Sequence, residues 1–153
     1  MAGEIVVDAS VFNKTFLDEP DRADAVAFFE FANRRKLQLI APSIFVYEVL
    51  AVAAPSAFGS ERAFELVEGF RQSGFSIVEA SDAIIRKAIE IANSGHPKTG
   101  YPTFYDAAYH ALALLRSGVF LTSDKRHVAK ASAFGSVVLL RDWRSHFQTT
   151  HSS

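Results

Sequence analysis

The sequence predicts an α/β protein, a three-layer α/β/α arrangement around a central parallel five-stranded sheet. Two observations predict it. Five short apolar segments, residues 5–7, 37–41, 75–78, 119–121 and 137–140, have the length and branched composition of strands buried on both faces. Helical patterns separate them, so consecutive strands are joined by crossovers, which makes the strands parallel and covers both faces of the sheet.

Taken in order, the first strand runs straight into Asp8. Residues 21–36 then place Ala25, Phe28, Phe29 and Ala32 on one stripe and close on Arg34, Arg35 and Lys36, which complement the negative end of a helix dipole. After the second strand, residues 44–54 are apolar on every side except at Glu48, so core or a partner must cover them. Residues 61–72 carry Ala63, Phe64, Val67 and Phe70 at helical spacing. Residues 81–93 start at a Ser cap, present Ile84, Ile85, Ala88, Ile91 and Ala92, and end at Ser94-Gly95. The turn-rich residues 95–102 lead to another helix, for which Thr103 is a good N-cap. The fourth strand hands over near Asp124 to a basic helix start containing Lys125, Arg126, His127 and Lys130. Residues 1–147 suit one domain, and the polar residues 148–153 are expected to fray.

Composition removes much chemistry. The 153 residues include no cysteine, which excludes disulfides, thiolate catalysis and cysteine zinc sites and suits a reducing cytoplasm. The longest stretch free of Asp, Glu, Lys and Arg, residues 49–60, is too short for a membrane helix, and no basic-then-apolar secretory leader opens the chain. With 16 basic and 17 acidic side chains, no global field attracts nucleic acid or lipid, so any such binding must be local. The motifs G-x-G-x-x-G, Gly-Lys-Ser/Thr, G-x-S-x-G and H-E-x-x-H are missing, and the five histidines lack the i, i+4 spacing of a paired metal site.

What remains is acid in costly places. Glu48 interrupts an apolar helix, where a carboxylate needs a metal, a cation or the lip of a cleft, unless it points to solvent from a rim. Asp106 is the sole charge in residues 103–115, and its place in the first turn also suits a capping box. Asp8 and Asp124 follow strands and could each cap a helix. The carboxyl ends of parallel strands are, however, where open α/β sheets bind ligands, and neighbouring strands about 4.8 Å apart would bring the two acids to one cation. Four acids converging on one sheet edge form an oxygen-only set that selects Mg²⁺ or Mn²⁺ over zinc and suits hydrolysis of a phosphodiester.

These residues resemble the PIN-domain ribonucleases, most closely the VapC-type toxins of toxin–antitoxin pairs. Val6-Val7-Asp8-Ala9-Ser10 resembles the family's opening strand with its first acid. Ala41-Pro42 followed by Tyr47-Glu48-Val49-Leu50 resembles the second motif, residues 105–113 resemble the Y-D-A-x-Y-x-A-L-A helix, and residues 121–126 resemble the L-T-x-D-x-R segment. The resemblance spans residues 5–140. It implies a PIN-like fold and metal-dependent cleavage of single-stranded RNA leaving a 5′-phosphate, by a homodimer that a small VapB-like antitoxin neutralises. It implies Asp8 and Asp106 as principal metal ligands, Glu48 and Asp124 completing the cluster, and Thr122 and Ser10 as supporting hydroxyls. Some relatives carry a further acid after the fourth; here Lys125 and Arg126 follow, leaving a one-metal mechanism open.

Lys125, Arg126, His127 and Lys130 also suit phosphates flanking a cut, although such a run serves equally as a solvated helix face. Of Phe12, Phe45, Phe104 and Tyr105, three are expected in the core, with the remainder free to stack an unpaired base. The apolar character around Phe45, Val49, Val52 and Phe58 points to a homodimer or partner surface. The intact set of acids argues against a catalytically silent RNA- or partner-binding domain. Ser10 stands where the D-x-D of a haloacid-dehalogenase-type phosphatase needs an acid.

Overall fold

Five strands, β1 (Ile5–Val7), β2 (Leu39–Pro42), β3 (Ser76–Val78), β4 (Val119–Thr122) and β5 (Val137–Leu139), alternate with helices in a computed structural model that describes residues 3–148. The helices are α1 (Ala9–Asn13), α2 (Arg22–Arg35), α3 (Ile44–Ala53), α4 (Ser60–Gln72), α5 (Asp82–Ala92), α6 (Phe104–Leu115) and α7 (Lys125–Ala131). All strand pairs are parallel, in the order β3-β2-β1-β4-β5, within the expected three-layer α/β/α architecture. Each predicted strand forms, and the shifts at their ends have local causes. β2 starts late because Lys36 closes α2 in the left-handed region, φ 52°, and turns the Leu37 N–H back to the Ala32 carbonyl at 2.9 Å.

The chain builds outward from β1 through β2 to β3, then crosses back to place β4 on the other side of β1. That reversal makes the carboxyl ends of β1 and β4 the switch point of the sheet. Val7 pairs in register with Leu121, so Asp8 and Thr122, the next residues, face each other across it. Gly118 permits this pairing: a Cβ there would strike the Glu4 carbonyl, which accepts from Val119 N–H at 3.1 Å.

Apolar packing holds the layers. Phe12 on α1 is fully buried and meets Phe29, Phe45 and Phe70 edge-on at 5.0–6.2 Å between centroids, joining α1 to α2, α3 and α4. α6 lies against β1, β2 and β4, and its Ala107 and Ala111 form a second apolar cluster with Ala88, Ile91 and Ala131. Ser81 caps α5 and Thr103 caps α6 as expected, accepting from Ile84 N–H and Asp106 N–H at 3.3 and 3.2 Å.

Several expected core positions differ. Phe31 joins Ala25, Phe28 and Ala32 as the buried set of α2, with Phe29 half-buried. Phe64 on α4 and Ile85 on α5 are exposed, because each falls about 80–90° from the midline of the stripe defined by its buried neighbours Ala63 and Val67, or Ala88 and Ile91. The apolar surface expected at Phe45, Val49, Val52 and Phe58 is mostly interior. α1 packs over α3 and buries Phe45 and Val49, while Phe58 stacks on Phe16 at 4.9 Å beneath Arg62, leaving Val52 exposed. Gln148, expected to fray, ends a helical turn, Arg144–Gln148; the rest of that tail lies outside the described residues. Among the described residues no helix is long and apolar enough to cross a membrane.

Burial ranks the aromatic contributions. Phe12→Ala is expected to lower unfolding free energy by about 3–5 kcal/mol, whereas Phe64→Ala costs less than about 1 kcal/mol. Urea denaturation of both variants checks this ranking, and equal losses would contradict the assignment of Phe12 as the keystone of the helical layer.

Candidate active site

The site forms around Asp8, whose side chain is only 4% exposed at the end of β1. Its Oδ2 accepts from the Thr122 hydroxyl at 2.6 Å and the Ser10 hydroxyl at 2.9 Å, and its Oδ1 accepts from Ser10 N–H at 3.4 Å. Both hydroxyls also accept: Thr122 Oγ1 from Asp124 N–H at 3.0 Å, and Ser10 Oγ from Ser123 N–H at 3.3 Å. Each hydroxyl thus has its proton directed to Asp8, because the backbone N–H of the β4–α7 turn on its other side can only donate. Burial pushes the Asp8 carboxyl above the ordinary range; the Thr122 and Ser10 bonds oppose this, and repulsion from Asp124 adds to it.

Asp124 caps α7, its Oδ1 accepting from Arg126 N–H at 2.9 Å and His127 N–H at 3.3 Å. The capping reading is therefore correct, and compatible with a place in the acidic group. Asp106 sits in the first turn of α6, and burial, the Asp8 charge and a carboxyl–carboxyl hydrogen bond with Asp124 push it up to about 7. Glu48 reaches the same group from α3, half-buried, with Oε1 accepting from the Tyr109 hydroxyl at 2.6 Å. Its carboxyl is raised by burial, against the Tyr109 bond, and further by the Asp8 charge. Burial together with the Asp8 and Glu48 charges keeps the Tyr109 hydroxyl protonated and a fixed donor.

Asp8, Asp106 and Asp124 therefore feel one another, and Glu48 feels Asp8, which links it to the other two. Among the described residues no three acids, histidines or cysteines are grouped so that they could hold a metal ion as they stand. By its chemistry the donor set nonetheless suits a hard divalent cation. It is all oxygen, and three of its carboxyls are held toward the protonated form by burial and mutual repulsion that such a cation would relieve.

Around the acids, Lys125 and Arg126 are exposed at the start of α7. Lys130 instead donates to the Tyr101 carbonyl at 3.3 Å, tying α7 to the loop before α6. His127 does not join this basic group. It is buried and held neutral at about 4, first by burial and then by His110. Since the Gly135 carbonyl can only accept, His110 Nε2–H donates to it at 2.7 Å, and His110 Nδ1 accepts from His127 Nε2–H at 3.0 Å. No helical spacing signals this pair; it arises where α6 and α7 cross. Of the four candidate stacking aromatics, Phe12 and Phe45 are core, while Phe104 and Tyr105 are exposed beside Asp106, one more than expected. Tyr109 is the site residue that pattern reading left without a role. Its signal was its position, one turn after Asp106 on the same helix.

A carboxyl whose folded value lies above its unfolded one favours the fold when protonated. For Asp106 this stabilisation is complete below about pH 4 and is lost as pH rises toward 7 in metal-free solution. Asp106→Asn abolishes that loss, so its Tm in chelator should exceed the parent's by several degrees at pH 8 and match it at pH 4. Calorimetry giving the same Tm difference at both pH values would mean the acids do not repel one another.

Comparison with known proteins accords with this geometry. The PIN domain family matches residues 5–133. Among solved structures, the chain is similar to a toxin–antitoxin complex from Klebsiella pneumoniae, with TM-score 0.65, 17% identity, and coverage of 89% of this chain and 97% of that one. It is similar to a DNA-bound VapBC from Salmonella typhimurium, with TM-score 0.66, 18% identity and coverage of 91% and 97%. A sarcin–ricin-loop-cleaving VapC toxin of Mycobacterium tuberculosis is also similar, with TM-score 0.64, 14% identity and coverage of 82% and 93%. At these identities the likeness is one of fold. A search of curated proteins finds no match. The match over most of the chain, on a sheet whose switch point gathers four acids, places this protein in the PIN domain family.

Proposed function

We propose that the chain is a Mg²⁺- or Mn²⁺-dependent endoribonuclease, the VapC-like toxin of a toxin–antitoxin pair, hydrolysing phosphodiester bonds of single-stranded or structured RNA. The observation that carries this reading is the buried Asp8 at the β1–β4 switch point, with Glu48, Asp106 and Asp124 in electrostatic reach of it. Membership of the PIN family and a fold shared with toxin–antitoxin complexes support it.

In this reading Asp8, Asp106 and Asp124 hold the cation, with Glu48 at its flank. When bound, the cation supplies a water of lowered pKa and neutralises charge on the scissile phosphate. Thr122 and Ser10 keep Asp8 oriented by donating to one of its oxygens. Lys125 and Arg126 pair with phosphates beside the cut, and Lys130 contributes charge from its place against Tyr101. Phe104 and Tyr105, exposed beside Asp106, offer faces on which unpaired bases stack, which favours RNA that is single-stranded at the cut. Apolar side chains left exposed on α3 and α4, among them Tyr47 and Phe64, support assembly as a homodimer with a VapB-like antitoxin.

The test is incubation of purified protein with a mixed RNA pool in Mg²⁺, Mn²⁺ or chelator, followed by sequencing of the ends. Metal-dependent cuts with 5′-phosphates are expected. Asp8→Asn should reduce them at least about 100-fold, and joint replacement of Lys125 and Arg126 by Ala should raise KM with little change in kcat. A pool left intact under both metals would turn the reading toward a PIN-like domain that binds without cutting.

A further inference from the structure

Glu48 is held differently from the other three acids. Asp8 is pinned by hydroxyls from its own turn and the adjacent strand and Asp124 by the amides of the helix it caps, while Asp106 sits in the first turn of α6 with its backbone N–H donating to the Thr103 hydroxyl. Glu48 comes from α3, 61 residues away in sequence from the one side chain that bonds it, and it forms no ion pair among the described residues. An acid so placed, on a half-exposed helix face and repelled by Asp8, would swing toward solvent unless a donor held it.

Tyr109 is that donor, and packing fixes its ring. The side chain is fully buried, its ring stacks on Phe120 of β4 at 5.5 Å and 15°, and its hydroxyl lies 2.6 Å from Glu48 Oε1. That bond joins α3 and α6, the elements that present Glu48 and Asp106.

We propose that Tyr109 is a positioning residue that holds Glu48 at the acidic group by one oxygen, leaving only Oε2 to face the cation and substrate. Tyr109 touches neither. It restrains the rotamer of an acid that has no other hydrogen-bond partner among the described residues, as outer donors do for ligating carboxylates. This deepens the nuclease reading and rests on it for the identity of the substrate, though not for the Glu48–Tyr109 linkage.

The experiment is a double-mutant cycle of Tyr109→Phe and Glu48→Gln, read in two ways. Thermal unfolding across a Mg²⁺ series gives the concentration for half-maximal stabilisation, with the Tm in chelator recorded separately; steady-state cleavage gives kcat and KM for an RNA fragment. Tyr109→Phe should need about tenfold more Mg²⁺ and lose kcat by a similar factor with KM unchanged. In the Glu48→Gln background it should change neither. Should Tyr109→Phe not fold, Glu48→Asp keeps the charge and draws the carboxylate away from the phenol, and the same Mg²⁺ shift is expected. An unchanged Mg²⁺ midpoint, a lower chelator Tm as the sole effect, or a loss repeated in full without Glu48 would each overturn the proposal. A coupled Mg²⁺ shift in a protein that cuts no RNA would sink the nuclease reading and leave the positioning role standing; a parent that Mg²⁺ does not stabilise would overturn both.

Discussion

The pairing of β1 with β4 is the constraint on which the site depends. Parallel strands in register put the residues that follow them at one level, so Asp8 emerges beside Thr122 and the turn to Asp124. A buried carboxylate costs several kcal/mol unless its lone pairs are met. Here two hydroxyls meet them, and each hydroxyl is polarised by a backbone amide from the β4–α7 turn. Acid and turn stabilise each other, and neither geometry survives without the strand pair.

The same packing creates the site's tension. α1, capped by Asp8, lies against α3 and brings Glu48 in, while α6 rests on β1, β2 and β4 and brings in Asp106 and Tyr109. Helices that pack for apolar reasons thus deliver like charges to one place, where, among the described residues, they meet hydrogen bonds and raised carboxyl pKa values and no ion pair. In the proposed nuclease reading, a bound cation would relieve that repulsion. On the other side of Asp124, the neutral His110–His127 pair fastens α7 to α6 and to the backbone before β5, so the two helices carrying Asp106 and Asp124 cannot slide independently.

Much of this was legible in the chain. The strands at 5–7, 37–41, 75–78, 119–121 and 137–140 could be read because a strand buried on both faces is continuously apolar, and Ser81 and Thr103 because capping is local chemistry. Asp8, Glu48, Asp106 and Asp124 stood out because each is a charge beside or within apolar sequence. Reading failed where three-dimensional cover decides. Phe45 and Val49 looked like spare apolar surface only because nothing in a helical pattern reveals that α1 lies over them. Phe64 looked like core because Ala63 and Val67 beside it are core.

His127 shows the same division at one residue. Its neighbours Lys125 and Arg126 make it look cationic, yet burial against His110 keeps it neutral. The sequence by itself determined the alternation of strands and helices, the sheet's parallel sense and the identity of the four acids, because periodicity, capping and the cost of isolated charge act within a few residues. Only the tertiary structure decided strand order, the partner of each acid and which apolar faces are covered. Those depend on contacts between segments far apart in the chain, such as Tyr109 with Glu48 and Thr122 with Asp8, whose energies leave no trace in local pattern.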